Sequence, residues 1–212
     1  MSSTNETDNV TAEAAEMQAD VPAGLKGIKI TPGKVVLFKT IEIGLGALIM
    51  TVAGWITGKS YFALLFAGLV PTTHAILIGL ALAVPFFVIF ELAWWIRKKL
   101  GVPTLNSEAF IAQTGVGGKA VHSLAAGIGE EILFRGAIQA VGGIWVSSAL
   151  FGLMHWCGNK SWGYMISTFI MGFTLGMMYV VTGSLWVPII VHAINNFLSF
   201  TVADRLRALL PQ

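Results

Sequence analysis

Glu130, Glu131 and Arg135 stand within GIGEEILFRGAI, His155 closes FGLMH, and His192, Asn195 and Asn196 interrupt IIVHAINNF. Each lies in a run otherwise apolar enough for the core of a bilayer. A charged side chain at mid-membrane costs about 2.5–3.5 kcal/mol on insertion scales. Such groups are tolerated only where they face one another or an aqueous cavity. Three separate segments contribute them, as a shared interior site requires. A carboxylate, two imidazoles and an amide are equipment for acid–base chemistry on water and for stabilising a developing oxyanion. Glu130, His155 and His192 also offer three N/O ligands of the kind that hold a catalytic zinc with one position open.

Helical spacing sharpens the grouping. Glu131 and Arg135 are i and i+4, in the favourable order for an ion pair along one face. Glu130 points about 100° away from its neighbour, free to face a cavity while Glu131 is tied to Arg135. His192 and Asn196 share one helix face, and Phe151 and His155 share another. Other polar residues read more plainly. Asn195 and His122 suit interhelical hydrogen bonding, His74 suits an interface, and Lys39 and Glu42 can snorkel or pair with each other. Met171, Met177 and Met178 read as packing or lipid-facing residues, and Gly172 and Gly176 as marks of close helix contact.

The elements that must position these groups are long apolar runs. Of 212 residues, 55 % are hydrophobic and 11 % charged, against about 25 % charged in soluble domains; the mean hydropathy is +0.76. The expected fold class is all-α, a polytopic transmembrane helix bundle with about six spans, since a span needs roughly 20 apolar residues. The candidates are Val35–Ile56, Thr73–Ile96, Lys119–Val141, Gly143–Cys157, Trp162–Val181 and Ser184–Ala203, the fourth being short. Residues 60–71 read as an interfacial connector ending at Pro71, and residues 101–118 as a polar loop. Residues 1–25 carry Glu6, Asp8, Glu13, Glu16 and Asp20 with no Lys or Arg, and read as a disordered acidic cytoplasmic tail. Residues 26–118 then hold the N-terminal spans and loop, residues 119–203 a membrane core, and residues 204–212 a cytoplasmic C-terminus.

Positive residues set orientation. Lys26, Lys29, Lys34, Arg97, Lys98, Lys99, Lys119, Lys160, Arg205 and Arg207 all fall on one side if both termini are cytoplasmic, leaving only Lys39, Lys59 and Arg135 of the 13 basic residues. The net charge of +2 shows no basic stripe for nucleic acid. The single cysteine, Cys157, excludes an internal disulfide and a CxxC metal site.

EEILFR fits EExxxR, FGLMH fits FxxxH, and HAINN fits HxxxN, in that order along the chain. The set resembles the CPBP family of intramembrane proteases, the CAAX protease and bacteriocin-processing or Abi family, which includes the Ras-converting CAAX prenyl endopeptidase. The likeness covers about residues 119–203. It implies an endopeptidase in which Glu130 activates water with help from His155. His192 and Asn196 would then face the oxyanion, while Glu131 and Arg135 support the site. No cofactor is expected; zinc, in keeping with the family's classing as metalloproteases, is the less favoured alternative, because Asn196 suits an oxyanion donor better than a ligand.

Other chemistries lack their residues. There is no GxSxG elbow, no HExxH helix and no pair of intramembrane aspartates, and Cys157 points about 200° away from His155 around a helix. Expected partners are membrane lipid and a peptide or membrane-anchored protein substrate. The expected location is a prokaryotic plasma membrane. A non-catalytic scaffold or bacteriocin-immunity factor, or a proton-coupled transporter, are the rival readings.

Overall fold

The computed structural model describes residues 32–61, 70–102, 115–156 and 162–203. The acidic tail, most of the connector before Pro71, most of the 101–118 loop, Cys157 and the C-terminus lie outside them. Six helical elements follow in order: α1 (Pro32–Thr57), α2 (Thr72–Lys99), α3 (Val116–Glu131), α4 (Gln139–Met154), α5 (Trp162–Thr182) and α6 (Trp186–Leu198). Between α3 and α4 the helix widens into a π-helical stretch, Ile132–Ile138, and α6 ends in another, Ser199–Ala203. The fold is an all-α bundle of apolar helices.

The bundle is built for lipid rather than water. In the four helices long and apolar enough to cross a membrane among the described residues, only 22–33 % of the most apolar window is buried inside the protein. Leu37, Phe38, Leu77, Ile89 and Val181 face outward. These four are residues 33–57, 72–99, 116–154 and 162–182, with Trp186–Val202 a shorter apolar helix. The expected third and fourth spans thus form one continuous helical run. At Gly143, with φ 81° and ψ 170°, that run breaks. Ser147 Oγ donates to the Phe134 carbonyl at 2.7 Å, although thirteen residues of straight helix would separate them by about 20 Å. The chain therefore folds back on itself at Gly143. The expected boundary between Val141 and Gly143 is present, and the arm after it is too short to span by itself. Gly58, Gly101 and Gly183, at φ 70°, 67° and 64°, follow the ends of α1, α2 and α5 in the left-handed conformation that glycine adopts without a Cβ clash.

Contact between helices is set by small residues. A Cβ at position 127 would stand 2.9 Å from Ala193 Cβ and 3.0 Å from the Ile189 carbonyl, so α3 and α6 meet backbone to backbone. One at position 152 would meet Phe169 Cβ at 2.9 Å and the Met165 carbonyl at 3.0 Å, on the α4–α5 contact. Around these crossings pack Ala75, Phe86, Leu175, Val187 and Val191, and a second cluster of Met50, Ala53, Ala137, Leu185 and Ile189. Met171 and Met178 fill gaps beside the first cluster, as expected of packing residues.

Overpacking at a crossing costs about 1–3 kcal/mol. Gly127→Ala and Gly152→Ala should therefore each lower thermal stability in detergent by that order, whereas Gly44→Ala, with no atom near the new methyl, should leave it unchanged or raise it. Equal melting temperatures for all three variants would refute the crossing geometry.

Candidate active site

The two adjacent glutamates take different partners. Glu131, wholly buried, accepts from Arg135 Nη1 at 2.8 Å and pairs with His192 Nδ1 at 2.7 Å through the same oxygen, Oε1. The i,i+4 ion pair read from spacing is present. It also reaches a second helix, because His192 comes from α6. Arg135 is equally buried; its Nη2 donates to the Gly172 carbonyl at 2.9 Å, and its guanidinium stacks over the Phe151 ring at 4.5 Å. One turn on, Gln139 Nε2 donates to the Gly176 carbonyl at 3.1 Å. The absence of side chains at Gly172 and Gly176 lets α5 approach closely enough to offer those carbonyls. The close contact foreseen there also supports the site.

Glu130 turns the other way, as its angular offset from Glu131 requires. Its Oε1 accepts from Lys39 Nζ of α1 at 2.6 Å, and Lys39 also contacts Glu42 Oε1 at 3.0 Å. Its Oε2 lies 3.9 Å from His192 Nε2. That is beyond a direct hydrogen bond, but it is a spacing at which one water can touch both atoms. His192 thus stands between the glutamates, Nδ1 on Glu131 and Nε2 toward Glu130. With Nδ1–H donated to a carboxylate, Nε2 is an acceptor on a neutral ring and a donor on an imidazolium.

His155 caps the end of α4, its Nδ1 2.7 Å from the Phe151 carbonyl. Its ring packs 4.7 Å from the Phe151 ring, which in turn meets His192 edge-on at 6.1 Å. Phe151 is therefore a spacer holding both imidazoles, and Tyr164 of α5 flanks His155 at 5.8 Å. Asn196 is half-buried one turn beyond His192 and makes no side-chain hydrogen bond among the described residues. Asn195 is buried, with Oδ1 unpartnered. His122 packs edge-on against Phe200.

The structure thus gathers Glu131, Arg135 and His192 in direct contact, sets Glu130 3.9 Å from His192, joins His155 to them through Phe151, and leaves Asn196 an unpaired donor on the His192 face among the described residues. Lys39 and Glu42, read from sequence as a local pair, also belong to the cluster. The signal for it was present: a cation, like an acid, has no place in lipid without a partner.

Residues 118–198 match a family described as type II CAAX prenyl endopeptidase, Rce1-like. An uncharacterized protein of Bacillus subtilis (strain 168), YpbD, is 40 % identical over 65 residues, which are 31 % of this chain and 34 % of that protein. The similarity to this relative therefore spans about a third of its length. No solved structure matches.

Removing one partner of a buried ion pair costs about 3–5 kcal/mol, because the other charge is left uncompensated. Arg135→Met should accordingly cut thermal stability sharply, and adding Glu131→Gln to it should recover part of the loss. A double variant less stable than Arg135→Met alone, in detergent melting curves, would contradict the pairing.

Proposed function

We propose, from the match of residues 118–198 to a family described as type II CAAX prenyl endopeptidase, that the chain hydrolyses a peptide bond within the membrane by means of water activated at Glu130. The observation that carries this reading is the 3.9 Å separation of Glu130 Oε2 and His192 Nε2. A water between them would be held by two groups able to accept its proton.

The steps then follow from the chemistry of the side chains. Glu130 takes a proton from water as the oxygen attacks the scissile carbonyl carbon, and the C=O electron pair moves onto oxygen. Asn196 donates N–H to that oxyanion in any state, and His192 does so once its ring is an imidazolium. His155, beside Phe151, helps to orient the water. Collapse of the tetrahedral intermediate breaks the C–N bond, and the proton held by Glu130 passes to the leaving amine. Glu131 and Arg135 touch no reacting atom in this scheme; they fix the His192 ring through Nδ1, as a carboxylate does for a catalytic imidazole elsewhere.

A zinc at Glu130, His155 and His192 is the rival chemistry. Among the described residues no three His, Cys, Asp or Glu side chains are grouped to hold a metal ion. Glu130 Oε1 is also occupied by the Lys39 ammonium, whose charge opposes a dication at the same carboxylate. The Lys39 ammonium on Glu130 supports the metal-free reading. The proposed substrate is a peptide or a membrane-anchored protein whose scissile bond enters from the bilayer. Both termini are proposed to be cytoplasmic, in a prokaryotic plasma membrane, on the distribution of positive residues.

The test uses purified protein in liposomes and a panel of internally quenched peptides, some ending in a farnesylated Cys-aliphatic-aliphatic-X sequence, others unlipidated or transmembrane. Glu130→Gln should abolish cleavage while the protein still inserts and accumulates. Asn196→Ala should lose about 100- to 1,000-fold in rate, as loss of one oxyanion donor does. A strong zinc chelator should leave the wild-type rate unchanged. Full cleavage by Glu130→Gln would refute the reading, and chelator-sensitive cleavage restored by zinc would replace it with a metalloprotease.

A further inference from the structure

Lys39 lies in α1, outside the segment 118–198 that matches the protease family. From its contacts we infer that Lys39 is a positioning residue for Glu130, anchored on its far side by Glu42, so that α1 completes the site. The inference rests on the proteolytic reading above and deepens it.

Several independent features place the ammonium there. Lys39 sits about two turns into α1, within reach of a headgroup region if its long stem snorkelled outward. It turns inward instead, with its side chain only 12 % exposed, and contacts two carboxylates at once. The backbone permits this because residue 129 is glycine. A Cβ there would stand 3.1 Å from Lys39 Cβ, 3.2 Å from the Lys39 carbonyl and 3.3 Å from Glu42 Oε2. At position 46, one turn further along α1 from Glu42, a Cβ would lie 3.3 Å from Leu133 Cα. The α1 helix is thus seated on α3 and the π-helical stretch after it by small residues on both sides of the crossing, and the residue next to Gly129 is Glu130.

The consequence for Glu130 is geometric. A carboxylate on a free side chain can turn about its terminal torsion and present either oxygen. With Oε1 held at 2.6 Å by Lys39, Oε2 is the oxygen left toward His192 Nε2. Glu42 restrains the ammonium in turn. The reacting oxygen is therefore aimed by a residue that never meets the substrate, and misplacement by about 1 Å typically costs on the order of 100-fold in rate.

Wild type, Lys39→Met, Lys39→Arg and Glu130→Gln are compared in liposomes, using the quenched peptide that the wild type cleaves best. Lys39→Met should lower kcat by about 10- to 100-fold with KM little changed, and Lys39→Arg, which restores a cation with N–H donors, should recover most of the rate. Should Lys39→Met fail to accumulate, Lys39→Gln carries the same comparison with a neutral donor of similar size. Unchanged or increased kcat in the neutral variant, or no recovery with arginine, overturns the positioning role. That failure is distinct from failure of the proteolytic reading, which would appear as cleavage by Glu130→Gln or as no cleavage of any peptide by the wild type.

Discussion

Glu131 stands in the apolar interior as the shared partner of Arg135 and His192. Taking a carboxylate and a guanidinium out of water costs several kcal/mol per ion, and their attraction offsets this only with good geometry and further hydrogen bonds. Here the geometry extends through four helices. Arg135 holds Glu131 from its own helix, takes a carbonyl from α5 and stacks on Phe151 of α4, while Glu131 reaches the imidazole of α6. Loosening any of these contacts exposes a charge to lipid. The pairing thus ties the positions of α3, α4, α5 and α6 to one another, and it fixes the orientation of His192.

Close helix approach is the condition for that network. Glycines at 127, 129, 152, 172 and 176 remove the side chains that would hold the backbones apart, the usual means by which membrane helices approach without a hydrophobic driving force. The widened stretch Ile132–Ile138 contains Arg135. Single π-helical turns are often found at functional sites, and this one changes the rotation of the chain between the glutamates and the Gly143 turn. Its hairpin then returns Phe151 beside Arg135 and His192, with His155 packed against Phe151.

Much of this was legible in the chain because lipid makes polar residues conspicuous. Glu130, Glu131, Arg135, His155 and His192 stood out against apolar runs, and the Glu131–Arg135 bond followed from helical periodicity alone. The break between α3 and the short arm after it falls at Gly143, where the fourth apolar run was expected to begin. What sequence could not supply was the packing of separate helices. Lys39 and Glu42 are three apart and read naturally as a local pair, whereas the bond to Glu130 spans 91 positions and exists only because α1 crosses α3 at Gly129. The π-helical widening leaves no signature in residue type. Spacing could not separate the neighbours Asn195 and Asn196 by burial either; the first is enclosed and the second half-open, which depends on how α6 is rolled against its neighbours.

The central claim is that a buried carboxylate activates water rather than attacking the substrate itself. Single-turnover cleavage in 18O-labelled water, with excess enzyme and mass analysis of both product and enzyme, tests this directly. One 18O atom is expected in the newly formed product carboxylate and none in the Glu130 side chain. Label in the Glu130 carboxylate would reveal a covalent acyl intermediate at that residue and contradict it.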